Sequence, residues 1–513
     1  MTTALFCILA AIIIYLTATI LIGVYYGRKG SGDNSDQFFL GGRKLGPYVT
    51  AMSAEASDMS SYLLMGLPGL AYLAGVAEVS WTVIGLAAGT YINWLLVAKR
   101  LRRYSEQLGA VTVPEYFSRR YGDTRHMLSA IAAVVILIFF VPYTASGFSA
   151  VGKLFNSLFG VDYHVAMVVG AVIIIGYTVL GGFLAVSTTD FVQSVVMTVA
   201  LLAVLIFSVG QAGGLGAVMD NAKSMAGYLN LTFNYAKNEP FGVLPIVSTL
   251  AWGLGYFGMP HILLRFMAIR DENELKTSRR VASVWVVISM TIAIFIGIVG
   301  NAVVKAGRLS VGAVADLNAQ GGETIVVQLS DLMSRNGIFL ALIAGVVLAG
   351  ILAATMSTAD SQLLAASSSM SQDLLQNFFK VRLSQKATMI VARGTVIVIA
   401  IVAVILAWDP DSSVFQVVSF AWAGFGAAFG PVVLLSLFWK RSNKWGALAG
   451  MIAGGAVVFI WKFLVRPLGG VWDIYELLPA FLVGLVAMVI VSLVTPAPNQ
   501  QVQDAFEKSK KAA

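Results

Sequence analysis

The chain has 513 residues, of which 58% are hydrophobic and 12% charged, and its mean hydropathy is +0.82, whereas a soluble domain carries about a quarter charged residues. Apolar runs of about twenty residues recur from end to end with no long polar block between them, which excludes a string of soluble domains and leaves one polytopic membrane domain. The formal net charge of +8 sits in short loops between those runs, which excludes nucleic-acid binding as its explanation.

The first apolar run, residues 4–26, lacks a basic leader and is too long for a signal-peptide core, so it is expected as a retained span. In chain order the further predicted spans are 46–75, 79–98, 127–156, 164–182, 187–211, 241–268, 281–306, 337–372, 388–407, 414–438, 446–465 and 476–495, thirteen in all. Lys and Arg alternate by loop. Arg28, Lys29, Arg43 and Lys44, then residues 99–103, 119–125, 270–280, 380–386, 440–444 and 508–511, all fall on one side of this arrangement, while the loops 157–163, 212–240, 307–336 and 466–475 hold few basic residues. The positive-inside rule then places the N-terminus outside and the C-terminus in the cytoplasm. The external stretches 212–240 and 307–336 read as connectors with short helices, with lids the alternative, and the polar tail after Pro496 reads as mobile.

Two spans interrupt themselves. The second, entering from the inside, carries Glu55 and Asp58 in Ser53-Ala-Glu-Ala-Ser-Asp-Met-Ser-Ser-Tyr-Leu-Leu-Met-Gly66, where an ionisable group inside the bilayer marks a functional site. The seventh, entering from the outside, carries Gly253, Gly255, Gly258 and Pro260 at comparable depth. Such breaks free backbone groups that a cavity, an ion or a ligand must satisfy. If each opens a repeat of five spans, spans 2–6 and 7–11 form an inverted pair with the site between them, the plan of secondary transporters. Asp58 also suits the N-cap of a half-helix beginning near Met59. In the ninth span, Ala354, Ser357 and Thr358 share a helical face, a neutral oxygen set suited to Na+ when joined by carbonyls of the second span. Hydroxyls bonded back to the preceding turn are the alternative.

The scattered His126, His164 and His261 and the single Cys7 offer no metal cluster or disulfide, no nucleophile and base pair up as in an enzyme, and no phosphate-binding loop of the GxxxxGK type occurs. No cofactor is expected. Gly85-Leu-Ala-Ala-Gly89 and Gly426-Ala-Ala-Phe-Gly430 fit close helix packing.

Arg43 in Gly-Gly-Arg-Lys-Leu-Gly, Ala56-Ser-Asp-Met-Ser60, Gly-Gly-Phe-Leu-Ala-Val-Ser followed by Asp190, Trp252-Gly-Leu-Gly-Tyr-Phe-Gly-Met-Pro-His261, Met356-Ser-Thr358 and Trp422-Ala-Gly-Phe-Gly-Ala-Ala-Phe-Gly-Pro431 resemble the solute:sodium symporter family, and within it the branch that carries proline. The resemblance spans about residues 10–495. It implies an all-α LeuT-type core: a first helix and inner loop (1–45), a five-helix repeat (46–211), an external loop (212–240), a second repeat (241–438), two further helices (439–495) and a cytoplasmic tail (496–513). Carried over, sodium is held by the carbonyls of Ala56, Met59 and Ala354 and the hydroxyls of Ser357 and Thr358. Asp58, Ser60 and Asp190 couple ion and substrate, and Tyr62, Tyr143, Trp252, Tyr256 and Pro260 contact the substrate. Aromatic faces suit an imino acid's ring and cationic nitrogen. The implied activity is Na+-coupled import of L-proline across the cell membrane, with lipid as surroundings.

This chain departs from the proline pattern at Ser61-Tyr62, where Gly-Trp is usual, and at Glu55, a position commonly uncharged. Three readings of Glu55 stand open: it receives an ammonium group, carries a coupling proton, or sits protonated against a neighbouring helix. Asp360, beside the ninth-span hydroxyls, is a further candidate. A sodium symporter for another amino acid, a carboxylate or a sugar is the alternative function, and a channel a remoter one.

Overall fold

Backbone polar groups that cross a bilayer must be satisfied without water, by helices or a closed barrel, and apolar runs of about twenty residues suit helices. In the computed structural model, which describes residues 3–30, 35–180 and 182–511, a short hairpin pairing Phe233–Asn234 with Glu239–Pro240 is the only sheet among the described residues. Gly181 of the Gly-Gly-Phe-Leu-Ala-Val-Ser motif lies outside the described residues, as do the side chains of Arg28 and Lys29.

Ten described helices are long and apolar enough to span a membrane: Thr3–Tyr26, Ala77–Gln107, Met127–Phe159, Phe183–Gln211, Glu272–Lys305, Ile338–Phe378, Lys386–Leu406, Val414–Phe438, Lys444–Leu468 and Leu477–Val494. Val243–Phe257 and Pro260–Ala268, bent by 45°, make an eleventh as a pair. The other two predicted spans are shorter helices. The second is divided into Pro47–Met59 and Tyr62–Ala74, and the fifth is Tyr163–Leu180.

The two breaks have separate local causes. At the first, Ser60 takes φ 49° and ψ −170°, a left-handed φ that a serine seldom adopts. Its Oγ accepts from the Tyr62 amide at 3.1 Å, so the second half starts there. Asp58, expected as the N-cap of the second half, lies instead within the preceding helix, which Ser60 closes as its C-cap. At the second break, residues Ala251–Phe257 wind as a tight 3₁₀ segment, Met259 is extended, and Pro260 opens the next half-helix, where its missing N–H is no loss.

Glycine decides how closely this second break is gripped. A Cβ on Gly89 would lie 2.3 Å from the Gly253 carbonyl oxygen, one on Gly85 2.5 Å from that of Leu250, and one on Gly426 2.8 Å from the Gly255 Cα. Helices Ala77–Gln107 and Val414–Phe438 thus approach the broken segment backbone to backbone.

The basic loops gather at one end of the molecule. Arg43 donates to Ser105 Oγ, to the Met267 carbonyl and to the Ala110 carbonyl, Arg102 to the Ile269 carbonyl at 2.6 Å, and Arg103 pairs with Glu272. The tail, expected to be mobile, instead forms the helix Gln500–Lys511 at this end. Its Phe506 is fully buried against Tyr104 and the Arg120 guanidinium, because an amphipathic segment beside aromatic surface gains by covering it. At the opposite end, the helix Ile325–Ser334 is largely buried, and the ion pair Lys153–Glu323, at 2.7 Å, joins two elements with both side chains out of solvent.

Gly89→Ala puts a methyl group against unyielding backbone, so it should destabilise the protein by about 1–3 kcal/mol, the scale of overpacking, and lower its melting temperature in detergent. A melting temperature equal to the parent's would contradict the close approach.

Candidate ion and substrate site

The half-helix Pro47–Met59 ends inside the protein, where its last carbonyls have no further turn to bond and carry the negative end of the helix dipole. The middle of Ile338–Phe378 packs alongside and supplies hydroxyls. Ser357 Oγ donates to the Ala56 carbonyl at 2.9 Å and to that of Ala354 at 3.1 Å, and Thr358 Oγ1 donates to Ala354 at 3.1 Å. Both sequence alternatives therefore hold in part: the hydroxyls bond back to their own helix, and one of them also bridges to the broken span. Ala56, Ala354, Ser357 and Thr358 are brought into one neutral oxygen cluster with Met59 one turn beyond Ala56, and all five are buried.

Asp58 lies beside this cluster. Its Oδ2 accepts from Tyr256 Oη at 2.5 Å, its own carbonyl accepts from Tyr143 Oη at 3.1 Å, and its Oδ1 is buried with no hydrogen-bond partner among the described residues. One acid thus ties the first break to the second and to the helix Met127–Phe159. Neighbouring side chains satisfy the carbonyls that the second break releases: Asn93 Nδ2 donates to Tyr256 at 2.9 Å and Trp422 Nε1 to Trp252 at 2.8 Å.

A small chamber of about 10 Å³ is walled in part by Asp58, Met59, Tyr62, Tyr143, Trp252 and Trp422. Tyr62 stacks on Trp252 with ring centres 5.9 Å apart and planes at 16°. Of the predicted substrate contacts, Tyr62, Tyr143 and Trp252 line this chamber. Tyr256 reaches it through Asp58, and Pro260 is buried at the head of its half-helix, away from the chamber wall. Ser60 shapes the break with its backbone and its cap.

Glu55 turns away from the chamber. Its Oε1 accepts from Trp94 Nε1 of the neighbouring helix at 2.9 Å, and Oε2 is buried with no hydrogen-bond partner among the described residues. This is the geometry of the third reading, a carboxyl group set against a neighbouring helix.

Asp190 belongs to a second cluster. Its Oδ2 accepts from Ser53 Oγ at 2.6 Å and from the Arg265 guanidinium at 3.0 Å, with side chains 0% and 1% exposed. Arg265 also donates to Ser53 Oγ at 3.0 Å, to the His261 carbonyl at 2.9 Å and to Ser361 Oγ. Ser53 precedes Ala56 by one turn and Ser361 follows Ser357 by one turn on the oppositely running helix. The cluster therefore lies about 5 Å from the oxygen cluster, toward the basic end. Asp360 is buried nearby, within electrostatic reach of Arg265. The sequence reading passed over Arg265, although an arginine in the intramembrane stretch Pro260-His-Ile-Leu-Leu-Arg-Phe is the signal that picked out Glu55 and Asp58.

These contacts bring together Ala56, Asp58, Ser60, Trp252, Tyr256, Ser357 and Trp422 from the motifs that carried the resemblance. The family model described as Sodium:solute symporter family matches residues 38–454. The high-affinity proline transporter PutP of Bacillus subtilis (strain 168) is 44% identical over 489 residues, which cover 95% of this chain and 98% of that one. Sodium/proline symporter 2 of Staphylococcus saprophyticus is 41% identical over 506 residues, covering 97% and 95%. Among solved structures, a Na+-coupled sialic acid symporter in a substrate-bound outward-open state superposes with a TM-score of 0.77 at 20% identity, covering 96% of this chain and 99% of that one. The fold is the LeuT-type arrangement that the sequence led us to expect. Matched along nearly its whole length in sequence and in fold, the chain belongs to the sodium:solute symporter family.

Proposed function

We propose that the protein imports L-proline with Na+ across the cell membrane by alternating access. The observation that carries this reading is the bridge from Ser357 Oγ to the Ala56 carbonyl, at 2.9 Å, which joins the unbonded end of one half-helix to an intact span. Sodium is a hard cation that takes oxygen ligands. The carbonyls of Ala56, Met59 and Ala354, with the hydroxyls of Ser357 and Thr358, supply them once each hydroxyl turns a lone pair inward. An ion held there fixes the broken helix against the ninth span and so completes the adjoining chamber.

The solute reading draws on relatives named as proline transporters and on the chamber's chemistry. Tyr62, Tyr143 and Trp252 offer aromatic faces to a ring and to a cationic nitrogen. The unpartnered Asp58 Oδ1 adds an acceptor for that nitrogen, and Tyr256 orients the carboxylate that carries it. Asp190, held by Arg265, governs the path from the oxygen cluster to the cytoplasm. Ion and solute raise each other's affinity because both act on one arrangement of the two breaks.

In this reading the divided second span and the helix Tyr163–Leu180 also cross the bilayer, giving thirteen crossings. Residues 46–211 and 241–438 form the inverted repeats, flanked by 1–45, 212–240, 439–495 and 496–513. The basic end faces the cytoplasm, with the N-terminus outside. One observation favours a second reading, a symporter for a solute with an additional polar group: Tyr62 Oη is buried without a hydrogen-bond partner among the described residues, at a position where proline carriers commonly have Trp.

Purified protein in potassium-loaded vesicles should accumulate labelled proline only under an inward sodium gradient, with unlabelled proline the strongest competitor in a panel of amino acids, carboxylates and sugars. Equal accumulation without sodium would overturn the coupling, and stronger competition by another solute would select the second reading. Ser357→Ala with Thr358→Ala should raise the sodium concentration for half-maximal uptake roughly tenfold or more, given two lost polar contacts of about 1 kcal/mol each. An unchanged sodium dependence would remove the oxygen cluster from the mechanism.

A further inference from the structure

Two cavities adjoin across one side chain. The outer is a vestibule of about 870 Å³ at the less basic end, and the inner is the chamber of about 10 Å³. Among the described residues, Trp252 is the one side chain that lines both. Its indole is a partition, with Tyr62 on the chamber side and Tyr475 on the vestibule side. The Tyr475 ring stacks on it more closely than that of Tyr62 does, with centres 5.0 Å apart and planes at 21°.

Tyr475 belongs to neither of the two breaks. It stands in the external turn just before the helix Leu477–Val494, in the accessory segment that follows the second repeat. Both its ends are tethered: its amide donates to Ser248 Oγ at 2.6 Å and its hydroxyl to the Ser419 carbonyl at 2.7 Å. The ring is 5% exposed. It is thus fixed to the outer half of the seventh span and to the eleventh, which holds Trp422 and closes the chamber from the other side.

The chamber has room for about one water molecule, so its walls must part to admit a solute. The wall that faces open volume is Trp252, while Tyr143 and Asp58 are backed by packed helices. From this geometry we infer that Tyr475 is a positioning residue for an outer aromatic gate: it holds Trp252 across the mouth of the chamber, and outward opening separates the Trp252–Tyr475 stack. The accessory helices thereby contribute to the outer seal. The inference rests on the reading of the chamber as the solute site, but the gate itself is testable without any solute.

In a Cys7→Ser background with Val418→Cys as a reporter in the chamber wall, the rate of modification by a membrane-impermeant thiol reagent added from outside measures the gate. In sodium and without solute, Tyr475→Ala and Tyr475→Leu should each react roughly threefold to tenfold faster than the parent, the scale of one lost aromatic stack. Tyr475→Phe should stay within about twofold of the parent, because the ring remains. Labelled proline prebound in sodium should leave Tyr475→Ala faster by a similar factor, with the sodium concentration for half-maximal binding unchanged. Parent-like reactivity in both Tyr475→Ala and Tyr475→Leu would overturn the gate, and so would Tyr475→Phe reacting as fast as Tyr475→Ala. If reactivity follows the prediction while the parent binds no proline, the gate stands and the proline reading falls.

Discussion

A helix that stops inside a protein, away from water, leaves carbonyls with neither a next turn nor water to bond. In this protein that happens after Met59, where the left-handed Ser60 turns the chain aside, and much of the surrounding structure can be read as the response. Ser357 reaches across to Ala56, Tyr143 covers the Asp58 carbonyl, and Tyr256 holds its carboxylate. The second break is met in the same way by Asn93 and Trp422. Side-chain donors stand where an intact helix would need none, and a cation could replace some of them because carbonyl oxygens serve either partner.

The same two helices carry a second polar layer one turn nearer the basic end, where Asp190 and Arg265 form a buried ion pair spanning four elements through Ser53 and Ser361. A pair so far from water gives little net stability, yet losing one partner strands a charge at a cost of several kcal/mol. That asymmetry suits a contact that specifies one alignment of the half-helices. Above the oxygen cluster lies the aromatic layer of Tyr62, Trp252 and Tyr475. Three layers of different chemistry thus share the broken helices: Ser53, Ala56 and Asp58 stand on one, Trp252 and Arg265 on the other.

Much of this was legible in the sequence because membrane helices announce themselves by hydropathy and their breaks by Gly, Pro and intramembrane acids. Ala354, Ser357 and Thr358 could be placed on one face because spacing along a helix fixes which residues share it, while the set that joins them to Ala56 and Asp58 came from the family resemblance. Contacts between distant elements were not legible. Trp94 as the partner of Glu55, Arg265 as that of Asp190, and Tyr475 as the cover of Trp252 depend on how helices rotate against one another, which no local pattern records. The tail was misread for a related reason: Phe506 looks like one apolar residue in a charged stretch, and only the groove beside Tyr104 and Arg120 makes it an anchor. The N-cap role given to Asp58 also failed, because the break follows the backbone turn at Ser60, two residues on, and leaves the acid inside the first half-helix.

The central claim is that ion and solute act on one shared arrangement of the broken helices. Thermal unfolding of the purified protein tests it directly, since binding to the folded state raises apparent stability by mass action. The melting temperature would be followed with sodium alone, with proline alone in potassium, and with both together. The account predicts a modest rise with sodium, almost none with proline alone, and a rise with both that exceeds the sum of the separate shifts. A proline-induced shift of the same size in potassium as in sodium would contradict it.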